Sequence, residues 1–369
     1  MFYHIISSMV KTILFAYTGG LDAAVSLHWL TRRGYDVLTY TADIGQKDDF
    51  RHLEDMARRT GATNVRIEDL KGEFVTGYIF PARRADAVYE GRYLLGGALP
   101  KPLIASKQAQ LAKAMGIDIV AHGATQTQND RIRFENAYRV SFPGCTIYAP
   151  WCDPEFASQF GTREDLLAYA HEHGIPSTTT AKRSWTTEQH LFHTSFEDSD
   201  LLDLSARVKE DMIDFPTPQQ APDKTTEIRI HFTNGNPVSV DYGGGNTADP
   251  LNIMQKLNKF GSVHGIGVVD MVETNIDGTK SRGIYVTPGG TILHAAHMDL
   301  GSVVLSGGEL ERRHILSSRF AKLAYSGHWF SDEMKEVMAE VDSWQHRIRG
   351  FVDLALYKGN VIVLGRNAA

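Results

Sequence analysis

Cysteine is almost absent from this sequence: Cys145 and Cys152 are the only two in 369 residues. Two thiols cannot staple a secreted disulfide framework, and their spacing lacks the paired pattern of a zinc site. Both read as inert core or loop thiols, and a reducing cytoplasm is the expected compartment. Long apolar runs are missing too. No stretch approaches the roughly 20 apolar residues that cross a bilayer, and MFYHIISSMVKTILFAY at the start has no positive charge ahead of its apolar residues. Neither a membrane span nor a signal peptide is expected, and residues 1–8, before Met9, read as an upstream extension that the fold does not use. Positive charge is also in deficit. Lys plus Arg total 38 against 44 Asp plus Glu, a formal net charge of -6, which offers no overall basic field to a polyphosphate backbone. No nucleic-acid partner is expected.

What is present is ordinary globular material. With 42% hydrophobic and 22% charged residues, the chain can bury a core, which excludes intrinsic disorder and collagen-like repeats. At about 150 residues per domain the length favours two domains. The first half alternates short apolar runs with helical stretches: TILFAY (12–17), DVLTYTA (36–42), NVRIED (64–69), DIVA (118–121) and TIYA (146–149). That rhythm predicts an α/β fold, a doubly wound parallel sheet with helices on both faces. Ile104, Leu111 and Met115 share a helix face, and Thr162-x-x-Asp165 ahead of an apolar run reads as a capped helix. The first domain is expected over residues 10–176. After Pro176 the texture becomes polar and Thr-rich, then EIRIHF and PVSVDY flank an Asn-Gly-Asn turn as a hairpin. A second, α+β domain over 177–369 follows, with a helical tract from about His314 to Ile348 broken near Gly327. FVDLALY and VIVLG close it as a hairpin around Lys358-Gly359-Asn360.

Two segments could carry chemistry. Ala16-Tyr17-Thr18-Gly19-Gly20-Leu21-Asp22 stands where the first strand ends and a helix begins. Two glycines let backbone amides approach a phosphate, the helix N-terminus adds partial positive charge, and Thr18 can donate a hydroxyl. No Gly-Lys-Ser/Thr follows, so this is not a Walker A loop; plain turn chemistry accounts for the same residues. The polar stretch from His122 to Arg133 follows a predicted strand, where ligands gather in doubly wound sheets. There Asn129 and Asp130 suit an amino group and Arg133 offers a planar fork to a carboxylate, although a solvated loop reads equally well. His171-Glu172-His173 is better suited to a helix C-terminus than to a metal. His294 and His297 share a helix face and read as a partly buried pair, with no third ligand suggested by spacing.

Taken together, these segments resemble the argininosuccinate synthase family from about Thr12 to Arg366. The family's phosphate loop, A-Y-S-G-G-L-D-T-S, is matched by AYTGGLDAA; then come TADIGQ (41–46), YEGRYLLG (89–96), HGAT (122–125), Asn129-Asp130, RFE (133–135), HGIG, KSRGIY and LYKGNV. The resemblance implies a pyrophosphatase-type ATP domain and a synthetase domain. It implies a ligase that joins citrulline and aspartate while ATP goes to AMP and pyrophosphate through an adenylated ureido intermediate. ATP would be held by Ala16, Tyr17, Thr18, Gly19, Gly20, Leu21, Asp22, Ala23 and Ala24 with Ala42 and Gly123, and Asp22 would be catalytic. Citrulline falls to Tyr93, Ala98, Asn129, Arg133, Thr186, Ser195, Glu273 and Tyr285, and aspartate to Thr125, Asn129 and Asp130. Mg2+ is implied as the ion that neutralises pyrophosphate, and a homo-oligomer, the family's tetramer, as the assembly.

The chain departs from the family pattern at definite places. Ala23 and Ala24 replace loop hydroxyls, Gly96-Gly97-Ala98 replaces Gly-Thr-Ser, and Gln126-Thr127-Gln128 replaces Gly-Lys-Gly. Arg131 stands where Gln is expected, Val286 where an acid is expected, and the sequence ends near Arg366 without the extension by which members clasp neighbours. These changes keep two alternatives in play: a paralogous AMP-forming ligase that condenses aspartate with another acceptor, and a nucleotide-binding protein without turnover. A transfer-RNA-modifying enzyme with a related loop would want a basic surface and a working cysteine, and neither is evident.

Overall fold

The computed structural model describes residues 10–125, 129–176, 185–209 and 212–369, apart from the side chains of residues 185, 186, 198 and 199. They fall into two compact units. The first holds the residues up to Asp43, Asp48–Glu68 and the stretch from Ile104 to the end of the N-terminal half; the second holds Ile44–Lys47, Asp69–Leu103 and the C-terminal half.

In the first unit β1 (Thr12–Ala16), β2 (Asp36–Asp43), β3 (Asn64–Asp69), β4 (Ile119–Ala121) and β5 (Thr146–Tyr148) form one sheet in the order β3-β2-β1-β4-β5. Within it the β1–β2, β1–β4 and β4–β5 pairs run parallel, as the alternating strand and helix pattern predicts. Ile13, Leu14 and Phe15 are completely buried, which is the signature of a strand covered on both faces. Gln108, also fully buried, donates from Nε2 to the carbonyls of Leu14 (2.7 Å) and Ala121 (3.0 Å) and accepts from the Tyr138 hydroxyl at 2.6 Å. One amide thus ties β1 to β4, the pair between which the strand order reverses. The helix Arg163–Glu172 starts with the capping box that Thr162 and Asp165 predict.

In the second unit β6 (Trp185–His190), β7 (His193–Asp198), β8 (Thr226–Thr233), β9 (Asn236–Tyr242), β10 (Gly245–Thr247), β11 (Val268–Thr274), β12 (Lys280–Val286), β13 (Gly350–Tyr357) and β14 (Asn360–Ala368) build two sheets. Their orders are β10-β9-β8-β13-β14 and β11-β12-β7-β6. Both predicted hairpins are present in the first, and the β8–β9 turn places Asn234 and Gly235 at φ 50° and 69°, the left-handed pair that an Asn-Gly hairpin uses. The helical tract resolves into Gly307–Tyr325 and Asp332–Ser343, with the expected break at Gly327. The four-stranded sheet was not legible in the sequence. Its Phe196, Ile284 and Val286 join Leu201 and Met212 in a buried cluster, which gives that sheet one apolar face.

The segment between Asp86 and Ala98 is held in place by a buried carboxylate. Asp86 accepts from His297 Nδ1 at 2.8 Å and from Arg313 Nε, while its own carbonyl accepts from Ser317 Oγ at 2.7 Å. Burial alone would raise the Asp86 pKa, but the His297 and Arg313 partners outweigh it and hold the carboxyl well below the usual carboxylate range. His297 is buried and His294 half-buried, with Nδ1 at 3.7 Å from Asp86, as the partly buried pair predicts. The segment is strained: Asp86, Glu90 and Leu95 take φ of 49°, 48° and 66°, conformations that cost a non-glycine residue roughly 1 kcal/mol or more.

Removing one partner from a buried ion pair typically costs about 3–5 kcal/mol. Asp86→Asn keeps a side chain that tolerates positive φ, and denaturant unfolding near neutral pH should show that loss. Because the folded pKa is depressed, the stabilisation is complete above the unfolded value near 4 and disappears as pH falls through the folded one. The gap between wild type and Asp86→Asn should therefore narrow below about pH 4.

Candidate active site

The loop after β1 turns on Gly19, whose φ of +77° is the left-handed conformation that favours glycine. Gly20 has an extended backbone, φ -69° and ψ 166°, and stands as N-cap of the helix Leu21–Arg32 with no side chain capping it. No cap side chain therefore occupies the first-turn amides of that helix, an arrangement that suits an anion. Thr18 is exposed beside them. Tyr17 buries its ring, which pushes its hydroxyl pKa up to about 12, and enters the loop through its backbone: its N–H donates to Tyr40 and its carbonyl accepts from Thr41 Oγ1 at 2.7 Å. Leu21 and Ala24 face the core, and the Ala24 amide donates to the Gly20 carbonyl at 2.9 Å. Asp22 is exposed as a residue, yet crowding strips water from its carboxyl and raises its pKa, against its own backbone hydrogen bond and the Arg163 charge.

Ala42 is the penultimate residue of β2, and Gly123 follows β4, where an added Cβ would make only an ordinary contact with Phe15 Cζ at 3.8 Å. The loops after β1 and β4 flank the point where the strand order reverses, which is where ligands bind in open α/β sheets. Thr125 is half-buried; residues 126–128, where the family pattern departs, lie outside the described residues. Asn129 opens the helix Asn129–Ser141, and on it Arg133 Nη1 bonds Asp130 Oδ1 at 2.8 Å with the Arg133 side chain only 7% exposed. Two residues that the resemblance divides between different substrates are thus one ion pair. The sequence placed His122 in this stretch without giving it a role; it is buried, with Nδ1 accepting from the Ala124 amide at 3.2 Å and its ring stacked on Phe134. Burial pushes its pKa down to about 4, so the imidazole is neutral near pH 7.

In the second unit, strand register brings the remaining residues together. Val269 pairs with Tyr285, Tyr285 with Ser195, and Ser195 with Glu188, one row across β11, β12, β7 and β6. Directly opposed residues point to the same face, so Tyr285, Ser195 and Glu188 share the face opposite the apolar cluster. Tyr285 lies over Gly283, where an added Cβ would approach its hydroxyl to 2.4 Å, and that hydroxyl donates to Glu273 Oε1 at 2.7 Å. Burial, then the Glu273 charge, drives the Tyr285 pKa far up and keeps the phenol a donor. The Tyr93 ring is 4.5 Å from Tyr285, and the Tyr93 hydroxyl accepts from the Gly97 amide at 2.6 Å. Ala98 is buried, its amide on the Leu95 carbonyl at 3.0 Å. Thr186 pairs by backbone with Glu197; its side chain lies outside the described ones. Among the described residues no group of three or more His, Cys, Asp or Glu could hold a metal ion.

A doubly wound domain with an uncapped helix N-terminus at its switch point, followed by an antiparallel unit with a polar sheet face, defines a two-domain nucleotide-dependent protein of the HUP class. The model for the arginosuccinate synthase N-terminal HUP domain matches residues 12–176, and that for the arginosuccinate synthase C-terminal domain matches residues 185–369. This chain belongs to the argininosuccinate synthase family. It is similar to the argininosuccinate synthases of Thermotoga sp. (strain RQ2) and Thermotoga maritima, each 44% identical over 361 residues, covering 97% of this chain and 88% of the relative. Similarity to the argininosuccinate synthase of Syntrophus aciditrophicus is 43% over 361 residues, covering 97% of this chain and 89% of the relative.

Gly20 separates folding from binding. A Cβ there would meet only Thr18 Oγ1, at 3.6 Å, and the backbone is one that any residue adopts. Gly20→Val should leave far-ultraviolet circular dichroism unchanged and weaken ATP binding by calorimetry at least tenfold. Wild-type affinity in the folded variant would place the phosphates elsewhere.

Proposed function

We propose that this chain condenses citrulline with aspartate, with ATP going to AMP and pyrophosphate. The observation that carries the reading is the uncapped N-terminus of the helix Leu21–Arg32 at the reversal point between β1 and β4, in a chain whose whole described length belongs to this family. Thr18, Gly19, Gly20 and the first-turn amides take the phosphates of ATP, and Ala42 and Gly123 give its nucleoside a backbone surface. The carboxylate of Asp22, in the first turn of the helix, fits Mg2+, an ion that commonly takes one or two carboxylates and completes its shell with phosphate oxygens and water. Bound there, it would offset charge on the departing pyrophosphate.

The acceptor amino acid has the face that carries Tyr93, Ser195, Glu273 and Tyr285, with Thr186 beside it and Ala98 as a wall without a hydroxyl. Glu273, already accepting from Tyr285, meets the α-ammonium. Arg133 meets the α-carboxylate, and Asn129 serves both amino acids. Thr125, Asn129 and Asp130 receive aspartate. No side chain acts as a nucleophile. The ureido oxygen attacks the α-phosphorus and pyrophosphate leaves; the aspartate amine then attacks the ureido carbon and AMP leaves. The protein supplies position and charge. A non-catalytic nucleotide binder has no observation in its favour. A homo-oligomer is supported by the exposed Val268 and Val272 on β11 and Ile362 and Leu364 on β14. No described helix is long and apolar enough to cross a membrane, and a cytoplasmic place of work agrees with that.

Release of pyrophosphate that requires both amino acids, with argininosuccinate identified by mass, is the direct test. Arg133 tests the acceptor assignment. Losing a buried charged partner costs about 2–5 kcal/mol, roughly thirtyfold or more in affinity, so Arg133→Ala should raise the citrulline KM by that factor. Arg133→Lys should not rescue it, because lysine lacks the planar fork. An unchanged citrulline KM in Arg133→Ala would remove Arg133 from the site.

A further inference from the structure

The wall at Gly96-Gly97-Ala98 has lost its hydroxyls, and the structure shows what stands behind it. A Cβ on Gly97 would lie 3.0 Å from Tyr93 Oη and 3.9 Å from Glu188 Oε2. The bare glycine therefore opens the space in front of a carboxylate that no sequence pattern singled out. Glu188 is in the cross-strand row of Ser195 and Tyr285, on the same sheet face. Its Oε1 accepts from Lys101 Nζ at 2.6 Å; the Lys101 side chain is 10% exposed and that of Glu188 41%. One oxygen is fixed by a buried cation while the other faces the Gly97 wall.

We propose that Glu188 is a further specificity-determining residue, its Oε2 accepting hydrogen bonds from the N–H groups at the side-chain end of the acceptor amino acid. This rests on the reading of Ser195 and Tyr285 as acceptor-binding residues. A ureido group presents N–H donors to such an oxygen, and hydrogen bonds to a charged acceptor are stronger than those to a serine hydroxyl. The Lys101 ammonium balances the carboxylate, so a neutral ureido end is accommodated and no cationic terminus is demanded. Glu188 thus takes over the polar contact that is missing at Ala98.

The test is steady-state kinetics of Glu188→Gln, Glu188→Ala and Ser195→Ala, with citrulline and ATP varied in turn. Glu188→Gln should raise the citrulline KM about tenfold and Glu188→Ala about ten- to a hundredfold, leaving the ATP KM within about twofold. Ala98→Ser in the Glu188→Ala background should recover part of the loss. Where the Gln variant fails to fold, Glu188→Asp keeps a charge for Lys101, withdraws the oxygen by one methylene and should show the same KM split. An unchanged citrulline KM in folded Glu188 variants, or a rise in the ATP KM instead, overturns the proposal while Ser195→Ala still raises the citrulline KM. If Ser195→Ala leaves the citrulline KM unchanged, the underlying reading falls and the proposal with it.

Discussion

The second unit is arranged around the buried carboxylate of Asp86. A charge with 2% exposure is tolerable only if it is paired and fully bonded, and here His297 and Arg313, from two different helices, supply the pairing. Those helices, Pro288–Val304 and Gly307–Tyr325, are thereby locked to the start of the segment that carries Tyr93 and Gly97. Positive φ at Asp86, Glu90 and Leu95 would relax in a free peptide. Strain of that kind persists where surrounding structure over-determines it, and it concentrates at ligand sites. The ion pair and the burial of Leu95 at 0% exposure provide that over-determination, which keeps the Tyr93 hydroxyl on the Gly97 amide.

The same unit owes its chemistry to the two-residue period of a strand. Along β7, Thr194 and Phe196 face one way and His193, Ser195 and Glu197 the other; along β12, Ile284 and Val286 oppose Tyr285. One face closes the apolar cluster and the other collects Glu188, Ser195, Tyr285 and the donors and acceptors around them. A register slip of a single residue would exchange the faces, placing Phe196 in the polar site and Ser195 in the core. The make-up of the polar face and the folding register are therefore one constraint, and Gly283 marks it, since only a missing side chain lets Tyr285 lie along the strand to reach Glu273.

How much of this was legible depends on whether local pattern and burial agree. β1 read cleanly because a parallel strand buried on both faces is apolar through its centre, and β3, which has no buried residue, because Val65 and Ile67 alternate with polar ones; the Asn-Gly and Lys-Gly turns announced both hairpins of the five-stranded antiparallel sheet. The Thr162 capping box was legible as well. The four-stranded sheet was not. WTTEQH and HTSFED bury His190, His193 and Ser195 as polar residues on an inward face, so they lack the apolar alternation that marks a strand. Such failures of pattern are expected at functional sites. Asp277-Gly278, with Gly278 at φ +88°, was the one available sign of the β11–β12 hairpin. Glu188 carried none, because its significance lies in a register partner and in a missing Cβ at position 97.

The alanines of the phosphate loop illustrate how a family departure changes meaning once burial is known. Ala24 has 0% exposure and Ala23 6%, and both belong to the core cluster with Val25 and Leu27. A hydroxyl at position 24 would need a partner inside that cluster, since an unbonded buried hydroxyl costs roughly 1–3 kcal/mol in proteins. The Gly20 carbonyl already accepts from the Ala24 amide, and the methyl fits without any such demand. Alanine at this position therefore favours packing beneath the loop. What suits the loop to an anion is supplied by the backbone instead: the left-handed Gly19, the extended Gly20 and the helix N-terminus without a capping side chain. Those groups are independent of side-chain identity at 23 and 24, so the loop retains the physical basis of a phosphate site although two hydroxyls of the family pattern are gone.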